Sequence, residues 1–441
     1  MYTGDTAFRP NVDLDAALAE AEAQFVAANP DSHKRYDRAR RSIAGGVSRS
    51  ALHYGPFPLV FDHGDGQFIW DVDGHEYLDA MGDYTAGIFG HNHPRVRQAI
   101  LDAFDNGIAL NGPHRFEAPF AEVLCERIPS FEKMRFCSSG TEANLFALSL
   151  ARVATGRDAF MAFDGSYHGG VFNFAKTDMP FNFPANWVMA PFNDIDATRA
   201  LVEAHASDLA AILVEPMIGA GGCIPAETAF LQALREMATA HDIVLIFDEV
   251  MTSRLGPQGM QGRVGVIPDM TSVSKFLGGG MTFGAFGGRA DLMDRFDPES
   301  EDALPLAGTF SNNVLTMEAG RVALSDIYTA AAANDLNARG DRLRERFNEC
   351  AEAHDVAVRF IGIGSMMNPH FTRQAVRSPR QNALTDPRKR ALLHLDLIAA
   401  GVFTARSGMF VLSLPMTDAD LDRLVETVDD CLASRRSLFA D

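Results

Sequence analysis

Apolar residues recur along this chain with two different periods, and the changes of period outline its elements. Residues 13 to 28 place apolar side chains at helical spacing in an Ala- and Glu-rich stretch, and Asn29-Pro30 predicts the end of that helix. Between Pro58 and Leu78 the runs Leu59-Val60-Phe61, Gln67 to Val72 and Glu76-Tyr77-Leu78 are punctuated by Gly64, Gly66 and Asp73-Gly74. Short β-type runs broken by turn residues predict a small antiparallel meander. Beyond it, helical stretches near 94 to 105, 117 to 128, 142 to 154, 227 to 240 and 315 to 330 alternate with strand-like stretches near 133 to 137, 159 to 163, 210 to 214 and 243 to 248.

Two of those strands, Ala210 to Val214 and Ile243 to Phe247, are continuously apolar, as expected where helices cover both faces of a sheet. The fold class is therefore α/β, with a mostly parallel sheet. From about residue 330 the pattern changes to a charged helix (Asp335 to His354), two β-like runs (Val356 to Ile363 and Met409 to Leu414) and a final amphipathic helix, which predict a second, smaller α+β lobe. Pro298 to Ala303 and Gln374 to Asp386 read as polar loops.

Charge narrows the partners. With 39 Lys+Arg against 58 Asp+Glu in 441 residues, the net charge of −19 repels nucleic acid and anionic lipid at long range, so any anion must be held in a local pocket. A content of 47% apolar and 22% charged residues is that of a folded chain. Five scattered cysteines form no Cys-x-x-Cys pair, and no apolar run approaches the ~18 residues of a membrane span. Together with an N-terminal segment that lacks a basic region followed by an apolar stretch, this leads to the expectation of a reduced, cytoplasmic protein.

Three segments carry candidate chemistry. Cys137-Ser138-Ser139-Gly140-Thr141-Glu142 lies between a strand and an Ala/Leu-rich helix, where free N–H groups, hydroxyls and a glycine suit a phosphate, although an ordinary helix cap has the same form. Asp248 ends a buried strand, at the edge where open α/β sheets bind ligands. The Gly-x-x-x-x-Gly-Lys-Ser/Thr loop of nucleotide hydrolases occurs nowhere in the chain, so Asp248 needs a cation or a protonated ring as partner. Lys275 follows a strand-like run and precedes Gly278-Gly279-Gly280, beside open backbone. An amine that can form a Schiff base, a phosphate cradle and a carboxylate for a ring nitrogen are the three parts that a phosphorylated pyridine aldehyde requires. His91-Asn92-His93, bracketed by Gly90 and Pro94, reads as a helix-entry turn with no further ligand to complete a metal set, so no metal is expected.

The order Ser139-Gly140-Thr141-Glu142-Ala143-Asn144, Tyr167-His168-Gly169, Glu215-Pro216, Asp248-Glu249-Val250, Ser274-Lys275, Gly278-Gly279-Gly280 and Gly308-Thr309-Phe310 resembles class III aminotransferases of pyridoxal 5′-phosphate (PLP) fold type I, the aspartate-aminotransferase-like fold, over about residues 35 to 420. Within that group, Asp248 to Thr252 followed by the triple-Gly loop looks like the glutamate-1-semialdehyde aminomutase branch. Val47-Ser48-Arg49-Ser50, Tyr84 to Gly87, Phe283 to Gly288 and Leu412 to Pro415 look most like its β-amino-acid relatives, the β-phenylalanine aminotransferases.

The resemblance implies a large PLP-binding domain over 81–328 and a small domain made of 329–441 together with 1–80. It implies that Lys275 holds the cofactor and moves the proton, and that Asp248 pairs with the ring nitrogen. Val250, taken as two residues along the same strand, would pack on one face of the ring and Tyr167 would cover the other, unless Tyr167 is a buried structural aromatic. Ser139, Gly140 and Thr141 would hold the phosphate, and Thr309 would reach it from the neighbouring subunit of a homodimer with shared active sites. Glu215 is expected either at the cofactor edge or as a hydrogen-bonded structural carboxylate. Arg49 matches the family's carboxylate-binding arginine. Arg406 stands in Ala405-Arg406-Ser407-Gly408-Met409, where the family has Pro-Arg-Gly-Phe, so a second carboxylate contact there departs by one position. The implied activity is transfer of an amino group from an aromatic, β-phenylalanine-like β-amino acid to a 2-oxo acid such as 2-oxoglutarate or pyruvate. The alternatives are glutamate-1-semialdehyde 2,1-aminomutase and, more remotely, a non-catalytic PLP-fold binding protein.

Overall fold

A computed structural model describes residues 13–175, 179–382 and 385–440. Its centre is a seven-stranded sheet in the order Lys133–Cys137, Gly284–Gly288, Met270–Ser274, Val244–Asp248, Leu209–Val214, Ala159–Phe163 and Asn186–Ala190. Gly284–Gly288 runs antiparallel to both of its neighbours, and the other strands are mutually parallel. The continuous apolar runs are explained by cover on both faces. Met161, Phe163, Ile212, Val214, Leu245 and Phe247 enter one core with the helix Thr228–Ala240. Phe160, Ala162, Ala211, Leu213, Val244 and Ile246 enter the other, with the helix Gly140–Thr155. Side chains one residue apart point to opposite faces, so in these strands both alternating sets are buried and apolar.

The meander is present as Phe61–Asp65, Phe68–Asp71 and Glu76–Asp79. A strand near the other end of the chain, Val402–Phe403, pairs parallel with Glu76–Asp79 and completes a four-stranded sheet. A three-stranded sheet holds Arg359–Ile363, Met366–His370 and Phe410–Val411. Its middle strand, which contains Pro369, was not expected from the sequence.

Several boundaries differ from the sequence expectation. Asn29-Pro30 ends one helix at Ala28, but Pro30 also occupies the first turn of the next, Pro30–Ala39, where its missing N–H costs nothing. The charged helix begins at Ala330, five residues early, because the Thr329 side chain caps it. The helix expected over 315 to 330 is α-helical only over Val314–Val322 and continues as a π-helical turn, Ala323–Ile327. The loop expected over Gln374 to Asp386 contains a short helix, Pro379–Asn382, and residues 383 and 384 lie outside the described residues.

Candidate active site

Each of the six parallel strands but the outermost, Asn186–Ala190, delivers a candidate residue at or just after its C-terminal end. Cys137 leads to Ser139, Phe163 to Tyr167, Val214 to Glu215 and Ser274 to Lys275, while Asp248 is itself the last strand residue. This is the edge at which open α/β sheets form ligand crevices.

Asp248 is buried, and its carboxylate is fixed by three donors. Oδ2 accepts from Asn144 Nδ2 at 2.8 Å and from His168 Nδ1 at 2.8 Å, and Oδ1 accepts from the Val250 N–H at 3.0 Å. The other ring nitrogen of His168 is buried with no partner among the described residues, so the imidazole serves Asp248 alone. Asn144 lies one turn into the helix that starts at Gly140 and also donates to the His168 carbonyl at 3.0 Å. Sequence reading gave neither His168 nor Asn144 a role. The signal for Asn144 was its i+4 spacing from Gly140. The adjacent Glu249 points away from the site and accepts from the N–H groups of Met260 and Gln261 at 2.7 and 2.9 Å, as a structural carboxylate.

Val250 is not on the strand with Asp248. The strand ends at Asp248, and the chain turns there through the Val250 N–H bond to the Asp248 side chain. Its side chain nevertheless lines the crevice, because a Cβ placed on Gly140 would lie 2.8 Å from Val250 Cγ2 and 3.3 Å from Ser274 Cβ.

At the helix start, Ser139 Oγ caps the Glu142 N–H at 3.2 Å, while the Glu142 carboxylate accepts from the Ser138 N–H at 2.6 Å. The N–H groups of Gly140 and Thr141 are left without a protein acceptor among the described residues, at the positive end of a 16-residue helix. Thr141 Oγ1 accepts from the Gly170 N–H at 3.3 Å, and a Cβ on Gly169 (φ +125°) would lie 2.3 Å from that oxygen.

Glu215 is buried and accepts from the N–H groups of Tyr167 (2.9 Å) and Gly219 (3.1 Å). Burial pushes its carboxyl up to about 7 against the opposing pull of His168, and the charge of Asp248 adds to the rise. Glu215 is a buried, hydrogen-bonded carboxylate, and it lies within electrostatic reach of Asp248. Tyr167 is 43% exposed, so it is not a buried structural aromatic.

Lys275 has a left-handed backbone (φ +61°) and donates its amine to the Tyr84 carbonyl. Burial pushes the amine down to about 8, against the charges of Asp248, Asp83 and Glu215, which raise it. Tyr84 belongs to a left-handed turn, Gly82 to Thr85, with φ of 53°, 43°, 54° and 80°. Three consecutive non-glycine residues in this region cost roughly 1–2 kcal/mol each. The surroundings impose the turn: Asp79 Oδ1 accepts from the Met81 and Gly82 N–H groups at 2.9 Å, Gly87 N–H closes on the Gly82 carbonyl at 2.8 Å, and Tyr84 OH donates to the Ala51 carbonyl at 2.6 Å. Arg254, fully buried, donates to the Thr85 and Leu412 carbonyls and to Ser365 Oγ, with no carboxylate partner among the described residues. Nothing in the sequence singled out Arg254 or Asp83.

Of the two candidate substrate arginines, Arg49 bonds to this turn and Arg406 lies within electrostatic reach of its Tyr84. Arg49 Nη2 meets Asp83 Oδ1 at 2.6 Å, and Arg406 Nη1 donates to the His53 carbonyl at 3.0 Å. Burial pushes the half-buried Tyr84 phenol up, against the charges of Arg406 and Arg49, and burial likewise raises Tyr167, with the charge of Asp248 adding to the rise and that of Arg49 opposing it. Thr309 is not brought to this crevice by its own chain's contacts; it lies exposed beside Phe310, which is 72% exposed. His91 and His93 are structural, with His91 Nε2 bonded to Asp79 Oδ2 at 2.9 Å and His93 capping the helix Pro94–Phe104.

A glycine-lined cradle with free N–H groups, an oriented buried carboxylate and a desolvated lysine fit a phosphorylated pyridine aldehyde. The family model described as aminotransferase class-III matches residues 50–432. The chain belongs to the class III aminotransferases. Its cofactor is PLP. Among curated relatives it is 46% identical over 426 residues, 97% of this chain and 98% of the other, to the beta-phenylalanine transaminase of Variovorax paradoxus. The glutamate-1-semialdehyde 2,1-aminomutase of Bordetella avium is 40% identical over 354 residues, 76% of this chain and 82% of that enzyme. Among solved structures, the beta-phenylalanine aminotransferase from Variovorax paradoxus superposes with a TM-score of 0.96 at 45% identity, covering 97% of this chain and 99% of that one. Membership of this family makes the chain an aminotransferase acting on amino-acid and keto-acid substrates. No helix among the described residues is long and apolar enough to cross a membrane.

Proposed function

We propose that this aminotransferase moves the amino group of a β-amino acid, aromatic and β-phenylalanine-like, to a 2-oxo acid such as 2-oxoglutarate or pyruvate. The observation that carries the reading is the placement of Arg49 and Lys275 on either side of one turn: the guanidinium is held by Asp83, and the amine by the carbonyl of Tyr84. A substrate whose amine reaches Lys275 thereby has a carboxylate partner set apart from the reacting carbon. The activity named for the Variovorax paradoxus relative supports the same class of donor.

When bound, PLP supplies the aldehyde that takes up the amino group and a ring that draws electrons from the substrate carbon. The chain's own residues do the rest. Lys275, partly neutral near pH 8, holds the cofactor covalently and carries the proton. Asp248, aimed by His168 and Asn144, pairs with the ring nitrogen. Ser139, Gly140 and Thr141 present the helix start to the phosphate. Val250 and Tyr167 bound the ring, and Glu215 lies at its edge. Arg406 offers a second carboxylate contact. Residues 81–328 act as the cofactor-binding lobe and 329–441 with 1–80 as the smaller one. The enzyme is a cytoplasmic homodimer, and the exposed Thr309 completes the phosphate site of the partner subunit.

With the holoenzyme, a β-amino acid alone should convert the cofactor absorbance to that of its amine form, and a 2-oxo acid should restore it. A protein that ignores β-amino acids and isomerises glutamate-1-semialdehyde with no second substrate would be the aminomutase instead. Light scattering should give twice the chain mass, and mixing inactive Lys275→Ala with inactive Thr309→Glu chains should restore part of the activity if Thr309 acts across subunits.

A further inference from the structure

Asp83 has no part in the reading above beyond holding Arg49, yet its position is costly and specific. It sits at φ +43° inside the left-handed turn, which persists because Asp79, Lys275, Arg254 and the Gly87 N–H all fasten it. Backbone outliers that the surroundings over-determine gather at functional sites. The turn brings an anion to 2.6 Å from one terminal nitrogen of Arg49, with both side chains about half exposed. Arg49 has no other hydrogen bond among the described residues, so its remaining N–H groups are left without a protein acceptor there, and its charge reaches both Tyr84 and Tyr167.

We infer that Asp83 is a specificity-determining residue that competes with substrate carboxylates for Arg49. The inference rests on the reading of Arg49 as the carboxylate site. A guanidinium already neutralised by Asp83 offers an incoming carboxylate little net charge, so the ligand must share the cation with a like charge or displace it. The enzyme thus holds carboxylate-bearing substrates and products less tightly than an unpaired arginine would. A ping-pong site that must release one acid before binding the next gains by this. Uncharged parts of the substrate then decide more of the selectivity.

Asp83→Asn isolates the charge. Asparagine tolerates a left-handed backbone and still offers an oxygen to Arg49 Nη2, so the turn and the arginine's orientation are kept. The probe is 3-phenylpropanoate, a β-phenylalanine skeleton without the amine, titrated calorimetrically into the holoenzyme, where no turnover intervenes. Asp83→Asn should tighten its Kd by about two- to fivefold, the range of a half-exposed ion pair. Arg49→Ala should weaken it, and adding Asp83→Asn to Arg49→Ala should then gain less than Asp83→Asn gains in the parent, since only the like-charge repulsion is left to relieve. The ratio of KM for β-phenylalanine to that for benzylamine should fall in Asp83→Asn with kcat moving less. If Arg49→Ala binds the probe as the parent does, the carboxylate site itself is wrong. If Arg49→Ala weakens binding while Asp83→Asn leaves it unchanged or weakens it too, Asp83 only props the arginine and the competition is refuted.

Discussion

Lys275 and Tyr84, 191 positions apart, are joined by a hydrogen bond from the lysine amine to the tyrosine carbonyl. The bond gives the amine a fixed resting place whenever it is not bonded to the cofactor. Arg254 holds the carbonyl of the very next residue, Thr85, so two cations share one strained turn.

Replacing Lys275 by Ala should abolish transamination and any cofactor that borohydride can fix to the chain. The thermal midpoint of the apoprotein should not fall, because the amine is desolvated at a cost in the parent. Ordinary turnover in this variant would refute the mechanism.

Asp248→Asn keeps the shape of the side chain and its contacts with Asn144 and His168 at one oxygen but removes the charge. We expect kcat to fall by at least about a hundredfold, the scale of ~3 kcal/mol for a positioned ionic partner in a buried site. His168→Phe should lower kcat less, by about tenfold, since it acts only by aiming Asp248. Steady-state rates of the two variants side by side check both statements.

Arg49→Ala should reduce kcat/KM for β-phenylalanine by roughly ten- to a hundredfold, the loss of a charge-assisted pair, and spare benzylamine. Arg406→Ala should act mainly on the half-reaction with the 2-oxo acid. Equal losses on amines with and without a carboxylate would make Arg49 a structural residue.

Glu215 supplies a pH test. Its carboxyl is raised in the folded chain to about 7 from 4.5, so the native state keeps a proton that the unfolded state has lost. Its contribution to stability is therefore complete below about pH 4.5 and declines as pH rises to about 7. In the apoprotein, Glu215→Gln should flatten that decline in denaturant midpoints; an unchanged slope would assign the titration to another group.

Much of the site was legible because each piece has a local signature. A buried apolar run that ends in Asp248, a lysine before three glycines and a Ser-Gly-Thr helix start are patterns written within a few residues. What escaped depends on neighbours far along the chain. The strand Gly284–Gly288 was not among the expected strands, three of its five residues being glycine, yet a Cβ on Gly284 would lie 2.3 Å from the Ser139 carbonyl oxygen. Close approach of the helix start demands glycine there, overriding strand propensity. Met366–His370 was hidden by Pro369 and by buried polar residues such as His370, whose Nε2 pairs with the Gly222 carbonyl at 2.7 Å. Arg254 was invisible because its partners, two backbone carbonyls and the Ser365 hydroxyl, lie more than a hundred residues away along the chain and form no local pattern.

The pairing of Glu76–Asp79 with Val402–Phe403 bears on how the chain is made as well as on its final shape. On a ribosome the meander emerges early, but the strand that covers its edge follows about 320 residues later, roughly 15 s to a minute at ordinary elongation rates. Throughout that interval Glu76–Asp79 offers an open edge to any other extended chain, including a neighbour on the same messenger. Production of this enzyme should therefore be sensitive to translation speed and to chaperones that shield nascent strands, even where the finished protein is stable.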